Sequence, residues 1–167
     1  MHIVFCIRQN GYRAEERIFG VKTMDKSGDF YTLKGYQVKE AASLTPAMED
    51  YLEMISRLLQ ENKVVRIGEL AYKLHVKPSS ASKMIRQLKE AGYVDFENYG
   101  YISLTEKGQT EGTYLLYRHK VLHCFLCVLN HTEDELEQVE KIEHFLNRIT
   151  IQNLHTLTVK LEKQRDS

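Results

Sequence analysis

The 167-residue sequence has no tryptophan, only two prolines, nine glycines and three cysteines, and no surplus of charge, with 23 basic residues against 23 acidic ones. Each scarcity excludes a class. With so little proline and glycine, and with 43% hydrophobic and 28% charged residues, the chain is neither fibrous nor low in complexity and is expected to fold. Three cysteines, an odd number, argue against a disulfide framework and for reduced thiols. Long apolar runs are lacking too. The longest near the N-terminus, Ile3 to Ile7, is followed by Arg8, Arg13, Glu15, Glu16 and Arg17, so neither a signal-peptide core nor a membrane span is expected there, and the chain reads as cytoplasmic. The length suits one ordinary domain or two small ones that share contacts. Zero net charge excludes a uniformly basic nucleic-acid binder, yet it can conceal two segments of opposite sign.

The charge is segregated in this way. Between Lys63 and Gly92, seven basic residues (Lys63, Arg66, Lys73, Lys77, Lys83, Arg86, Lys89) stand against Glu69 and Glu90. Between His131 and Asn147 the sign reverses: Glu133, Asp134, Glu135, Glu137, Glu140 and Glu143 face only Lys141. The first segment suits phosphate and the second suits cations.

Residues 1–43 show no sustained period and are treated as an N-terminal extension of unassigned structure, in which Met24 is an alternative start of translation. From Leu44 the pattern sharpens. Thr45 is a good N-cap, Pro46 suits the first helical position, and Leu52, Ile55, Leu58 and Leu59 recur at helical spacing to about Gln60. Ile67, Leu70, Ala71 and Leu74 then mark a short helix to His75, Val76-Lys77 a turn, and Pro78-Ser79-Ser80 the start of another helix, together a helix-turn-helix. In its second helix Ala81, Met84, Ile85 and Leu88 share the core side. Ser79, Ser82, Lys83 and Arg86 point elsewhere, as short hydroxyls and long cations able to meet base edges and phosphates. With the turn and the helix opening they make a candidate DNA-reading set of Lys77, Pro78, Ser79, Ser80, Ser82, Lys83 and Arg86, joined by Tyr99. That tyrosine lies in the turn between two strand-like runs, Tyr93-Val94-Asp95-Phe96 and Tyr101-Ile102-Ser103-Leu104, which read as a wing.

A long helical pattern runs from Thr105 to about Leu129, its start weakened by Gly108 and Gly112. Thr132 is taken to cap a further helix through Leu146, with Leu136, Val139, Ile142 and Leu146 as the buried stripe. A last helix spans Ile149 to about Glu162. Three apolar stripes exceed what one small bundle buries, so dimerisation is expected. The fold class is therefore mainly α: a winged helix-turn-helix over 44–106, then an all-helical domain, expected to dimerise, over 107–167.

Glu140, Glu143 and His144 stand at i, i+3 and i+4, which would place them on one helical face within reach of a common ion. Asp50 and Glu53 repeat the i, i+3 spacing on the first helix, and His119 follows Tyr117-Arg118 on the long one. Taken singly, each is also explained as a solvated acidic face or a structural histidine. Cys124-Phe-Leu-Cys127, with His123 and His131 nearby, has redox or zinc spacing, but inside a helix such cysteines are expected to pack as small hydrophobes.

From about Leu44 to Lys163 the sequence resembles the DtxR/MntR family of metal-dependent bacterial repressors, and within it the short manganese regulators. The resemblance is carried by Thr45-Pro46-Ala47-Met48-Glu49-Asp50-Tyr51-Leu52-Glu53, Val76-Lys77-Pro78-Ser79-Ser80-Ala81-Ser82-Lys83-Met84, Leu104-Thr105-Glu106-Lys107-Gly108, Tyr117-Arg118-His119 and Val139-Glu140-Lys141-Ile142-Glu143-His144. It implies metal ligands at Asp50, Glu53, His119, Glu140, Glu143 and His144. Four carboxylates and two imidazoles form a hard set suited to Mn²⁺ or Fe²⁺. The family's iron-responsive branch has methionine and cysteine where this chain has Asp50 and Glu140, so the resemblance implies manganese. Two ions per subunit could share these carboxylates, and the sequence does not apportion the ligands. It implies as well a homodimer on double-stranded operator DNA, without membrane or organic cofactor, repressing metal uptake. The longer members' C-terminal SH3-like domain is not expected. Two competing readings are a helical-bundle di-metal carboxylate enzyme and a winged-helix repressor answering to an organic effector.

Overall fold

The computed structural model describes residues 44–62, 64–96 and 100–165. The N-terminal extension, Met24 and Tyr99 lie outside the described residues.

Helix α1, Pro46–Glu61, begins as its sequence dictates: Pro46 sits in the first turn and the Thr45 hydroxyl accepts the Met48 amide at 3.3 Å. Leu52, Ile55 and Leu58 are buried, and so are Glu53 and Ser56. A two-residue strand β1, Val65–Arg66, leads into α2, Ile67–Lys73, and then α3, Pro78–Glu90. Strands β2, Val94–Phe96, and β3, Tyr101–Leu104, make the wing. The sheet is antiparallel in the order β1-β3-β2, with Val65 opposite Ile102 and Phe96 opposite Ile102 on its other side. Strand β1 was not foreseen, because two residues are too short to display a period of two. It ties the entrance of the helix-turn-helix to the wing. Leu52, Ile55, Leu70, Ile85, Leu88, Val94, Ile102 and Leu115 form one core.

The long helix α4, Glu106–Asn130, starts directly after β3, with no linker. Thr105 caps it by accepting from the Gly108 amide at 3.0 Å, while its hydroxyl donates to the Gly92 carbonyl at 2.7 Å. Gly108 and Gly112, which weakened the helical pattern, are explained by close approach. A Cβ on Gly108 would overlap the Tyr93 carbonyl oxygen, and one on Gly112 would overlap the Ser56 hydroxyl of α1. Helix α4 is buried around much of its circumference, at Leu115, Arg118, His119, Val121, Leu122, Cys124, Leu126, Cys127 and Val128, which suits a central helix with neighbours on more than one side. Its N-terminal half belongs to the first core. Its C-terminal half joins Val139 of α5, Leu136–Ile142, and Ile151 of α6, Arg148–Arg165, in a second core.

The acidic helix departs from expectation at both ends. Thr132 does not cap it; its hydroxyl donates to Glu135 Oε1 at 2.7 Å, and α5 begins only at Leu136. The helix also stops at Ile142, and Glu143–Phe145 form a 3₁₀ turn. Of the expected stripe, Val139 is fully buried, whereas Leu136 is exposed. Among the described residues no helix is long and apolar enough to cross a membrane.

Candidate metal centre

Three elements converge on one spot. Glu53 lies on the buried side of α1, His119 on the facing side of α4, and the 3₁₀ turn brings Glu143 beneath both. His119 Nδ1 is the focus, 3.3 Å from Glu143 Oε2, 3.6 Å from Glu53 Oε1 and 3.8 Å from Glu140 Oε1. The side chains of Glu143, Glu53 and His119 are 2%, 8% and 9% exposed, and that of Glu140 is 60% exposed. Both the buried Nδ1 of His119 and the buried Oε2 of Glu143 lack a hydrogen-bond partner. Buried polar atoms without a hydrogen bond are costly. A cation between these atoms would satisfy both, so the residues present fit a metal ion.

A second set adjoins the first. Asp50, Glu143 and His144 offer ligand atoms within 4.8 Å of one another, as Glu53, His119 and Glu143 do. Glu143 is common to both. Of the six residues suggested by the sequence, five fall into these two sets, and Glu140 stands at the rim beside His119. The i, i+3, i+4 pattern does not act on one continuous helical face. The chain leaves α-geometry between Glu140 and Glu143, and the tighter turn carries Glu143 inward and His144 toward α1.

Burial first, then the nearby Glu143 carboxylate, pushes the Glu53 carboxyl above its ordinary range, against the opposing pull of Arg57 and His119. Arg57 lies 2.5 Å from Glu53 Oε1. His144 is pushed up to about 9 by hydrogen bonds to Asp50 and Glu49, against burial. Its Nε2 is 3.0 Å from Asp50 Oδ1 and its Nδ1 is 2.7 Å from Glu49 Oε2. Two residues here escaped the sequence reading. Glu49 and Arg118 form an ion pair at 2.7 Å, across 69 residues of chain, and the Arg118 side chain is 3% exposed. The one available signal was adjacency, since each precedes a candidate ligand.

Of the candidate DNA-reading residues, all but Tyr99 are among the described residues. Lys77, Pro78, Ser79 and Ser80 are exposed around the start of α3, and Lys83 and Arg86 are exposed along it. Ser82 is half-buried, and its hydroxyl donates to the Pro78 carbonyl at 2.9 Å. Cys124 and Cys127 are buried; the Cys127 sulfur is 3.8 Å from His123 Nε2, which also lies 3.2 Å from Asp134 Oδ1.

Comparison with known proteins agrees with this architecture. Residues 43–102 match the iron dependent repressor, N-terminal DNA binding domain, and residues 105–166 match the iron dependent repressor, metal binding and dimerisation domain. The HTH-type transcriptional regulator MntR of Bacillus subtilis (strain 168) is 38% identical over 120 residues, 71% of this chain and 84% of its own. The MntR of Geobacillus kaustophilus (strain HTA426) is 40% identical over 104 residues, 62% of this chain and 74% of its own. Among solved structures, the manganese regulator SloR superposes with a TM-score of 0.59 at 28% identity over 68% of this chain, which spans about half (54%) of SloR. The matched family is one of DNA-binding repressors, which sets aside the di-metal enzyme considered from the sequence. With both of its parts matched in order, the chain belongs to the iron-dependent repressor family of metal-dependent transcriptional regulators.

Proposed function

We propose that the protein is a manganese-responsive repressor: a cytoplasmic homodimer that holds double-stranded operator DNA when Mn²⁺ is bound and releases it when the ion is lost, thereby controlling genes of metal uptake. The observation that carries this reading is the convergence of Glu53, His119 and Glu143 where α1 meets α4, with His119 Nδ1 and Glu143 Oε2 both buried without a hydrogen bond. The metal ligands in this reading are Asp50, Glu53, His119, Glu143 and His144, in two adjoining sets that share Glu143, and Glu140 at their rim. A ligand set of carboxylates and imidazoles without thiolate favours Mn²⁺ or Fe²⁺, and among them the names of the relatives favour manganese.

A bound divalent ion supplies the positive charge that clustered carboxylates lack. This chain's own residues supply the rest. Asp50 and Glu53 belong to α1 of the DNA-binding part over 44–106, while His119, Glu140, Glu143 and His144 belong to the part over 107–167. Mutual repulsion of the carboxylates without metal loosens the approach of α1 to that part. Lys77, Pro78, Ser79, Ser80, Ser82, Lys83, Arg86 and Tyr99 face DNA, with α3 in the major groove. Two such helices in a dimer must stand roughly 34–36 Å apart to meet successive grooves. Exposed Leu129, Phe145, Ile149 and Leu157 in the second part support pairing of two copies there. No organic cofactor takes part.

The test is fluorescence anisotropy on DNA from the protein's own upstream region at fixed salt, titrated with Mn²⁺, Fe²⁺, Zn²⁺ and chelator. Binding that appears with Mn²⁺ and vanishes with chelator is expected. Binding indifferent to chelator would refute metal control and favour the winged-helix repressor that answers to an organic effector.

A further inference from the structure

Behind the candidate ligands lies a second layer of charged side chains. Glu49 Oε2 lies 2.7 Å from His144 Nδ1 and 2.7 Å from Arg118 Nη1, so one carboxylate oxygen accepts from an imidazole on the 3₁₀ turn and a guanidinium on α4. Arg118 Nη2 is 3.3 Å from the same imidazole nitrogen, and Arg118 Nε is 3.8 Å from Glu143 Oε2. Glu49, Arg118 and His144 are 17%, 3% and 11% exposed at their side chains, so these contacts are shielded from solvent competition. The other imidazole nitrogen, Nε2, points the opposite way, toward Asp50 Oδ1 at 3.0 Å.

We propose that Glu49, held in place by Arg118, is a positioning residue of the metal centre: it takes the Nδ1 hydrogen of His144 and so commits Nε2 to the ion. An imidazole has two nitrogens, and which one is free to ligate is set by the hydrogen bond the other makes. A carboxylate behind the ring fixes tautomer and orientation together and raises the basicity of the ligating nitrogen. Arg118 is suited to holding that carboxylate because its guanidinium is always charged and presents several donors in a fixed plane. Each member sits one residue before a candidate ligand, Glu49 before Asp50 and Arg118 before His119. Successive residues on a helix diverge by about 100°, so one side chain serves the ion while its neighbour supports from behind.

This inference rests on the metal-centre reading above, and the experiment separates the two. Full-length wild type, Glu49→Ala, Glu49→Gln and Arg118→Lys are titrated with Mn²⁺, free ion being read by electron paramagnetic resonance well below the melting temperature of each. Glu49→Ala is expected to weaken Mn²⁺ binding about ten- to a hundredfold. Glu49→Gln keeps an acceptor oxygen and is expected to fall between Ala and wild type, a graded rescue that a merely structural role does not give. Arg118→Lys keeps the buried charge but loses the planar fork, and is expected to weaken binding less than Glu49→Ala. For whichever of Glu49→Ala and Arg118→Lys folds, an affinity within about twofold of wild type overturns the inference, as does a Gln variant no better than Ala. A wild type that binds no Mn²⁺ overturns the underlying metal reading and this inference with it.

Discussion

The approach of α1 to α4 at Gly112 bears directly on the proposed metal centre, one turn of α1 from Glu53. In Gly112→Ala the new Cβ would overlap the Ser56 hydroxyl and stand 3.1 Å from Ser56 Cβ. The hydroxyl now donates to the Leu52 carbonyl at 2.8 Å in a buried setting. Rotating it away leaves a buried donor unmade, at a cost of about 1–3 kcal/mol. Even then two carbons at 3.1 Å lie inside the 3.5–4.0 Å optimum, so the helices must part by roughly 0.5 Å. Alanine's better helix propensity returns about 1 kcal/mol. The net expectation is a loss of up to about 2 kcal/mol, which for a chain of this size lowers the melting temperature by up to about 8 °C, measured by circular dichroism in chelator. A shift of that size exceeds the ~0.2 Å tolerance of metal–ligand distances, so Mn²⁺ affinity is expected to fall about tenfold. Adding Ser56→Gly removes both overlapping atoms and should restore affinity without restoring stability, because a mid-helix glycine itself costs about 1 kcal/mol. If Gly112→Ala lowers stability yet leaves Mn²⁺ affinity unchanged, the α1–α4 spacing does not set the centre and the reasoning fails.

Two further predictions concern charge. His144 is raised from 6.5 to about 9 in the folded metal-free chain, so its stabilising contribution is fully present below pH 6.5 and is lost as pH rises through about 9, amounting to at most about 3 kcal/mol. Chelated melts should fall across that interval while Mn²⁺ affinity rises, with about one proton released when the ion displaces the Nε2 hydrogen; equal Mn²⁺ affinity at pH 6.5 and 9 would contradict a ligating role for His144. Exposed Arg86 on α3 is expected to serve DNA alone. Arg86→Ala should weaken operator binding by about 1–3 kcal/mol if it reads a base, or lower the salt slope if it meets phosphate, with metal isotherms unchanged; a parallel loss of metal affinity would refute the division of labour.

Much of the fold was legible because its signals are local. Thr45 with Pro46 and Thr105 with Glu106 announce helix starts through groups a few residues apart, and the structure places both caps as read. What escaped depends on partners far away in sequence. Strand β1 exists because Val65 and Arg66 meet β3, 35 residues on or more, and the break at Ile142 interrupts an apolar spacing, Val139, Ile142 and Leu146, that runs on through it. Thr132 is a local miss: it looked like a cap, but its hydroxyl donates instead to Glu135, three residues on. The six candidate ligands could be named from residue type and family resemblance. Glu49 and Arg118 could not, since a glutamate and an arginine on helices read as solvated until the tertiary structure buries them together.

The placement of Glu53 on α1 and His119 on α4 has a consequence in polymer terms. Everything that would read DNA lies between these two residues, and their side chains meet at the neck of that loop. An ion held there would be a reversible cross-link closing a loop of some 65 residues, subtracting chain entropy from the unfolded state as a disulfide does, by an amount that grows only as the logarithm of loop length. The Glu49–Arg118 pair already draws the same neck together from the side. The DNA-reading unit would thus be fastened twice at one point, permanently by an ion pair and conditionally by a metal, and the second fastening would report the supply of the ion as mechanical slack.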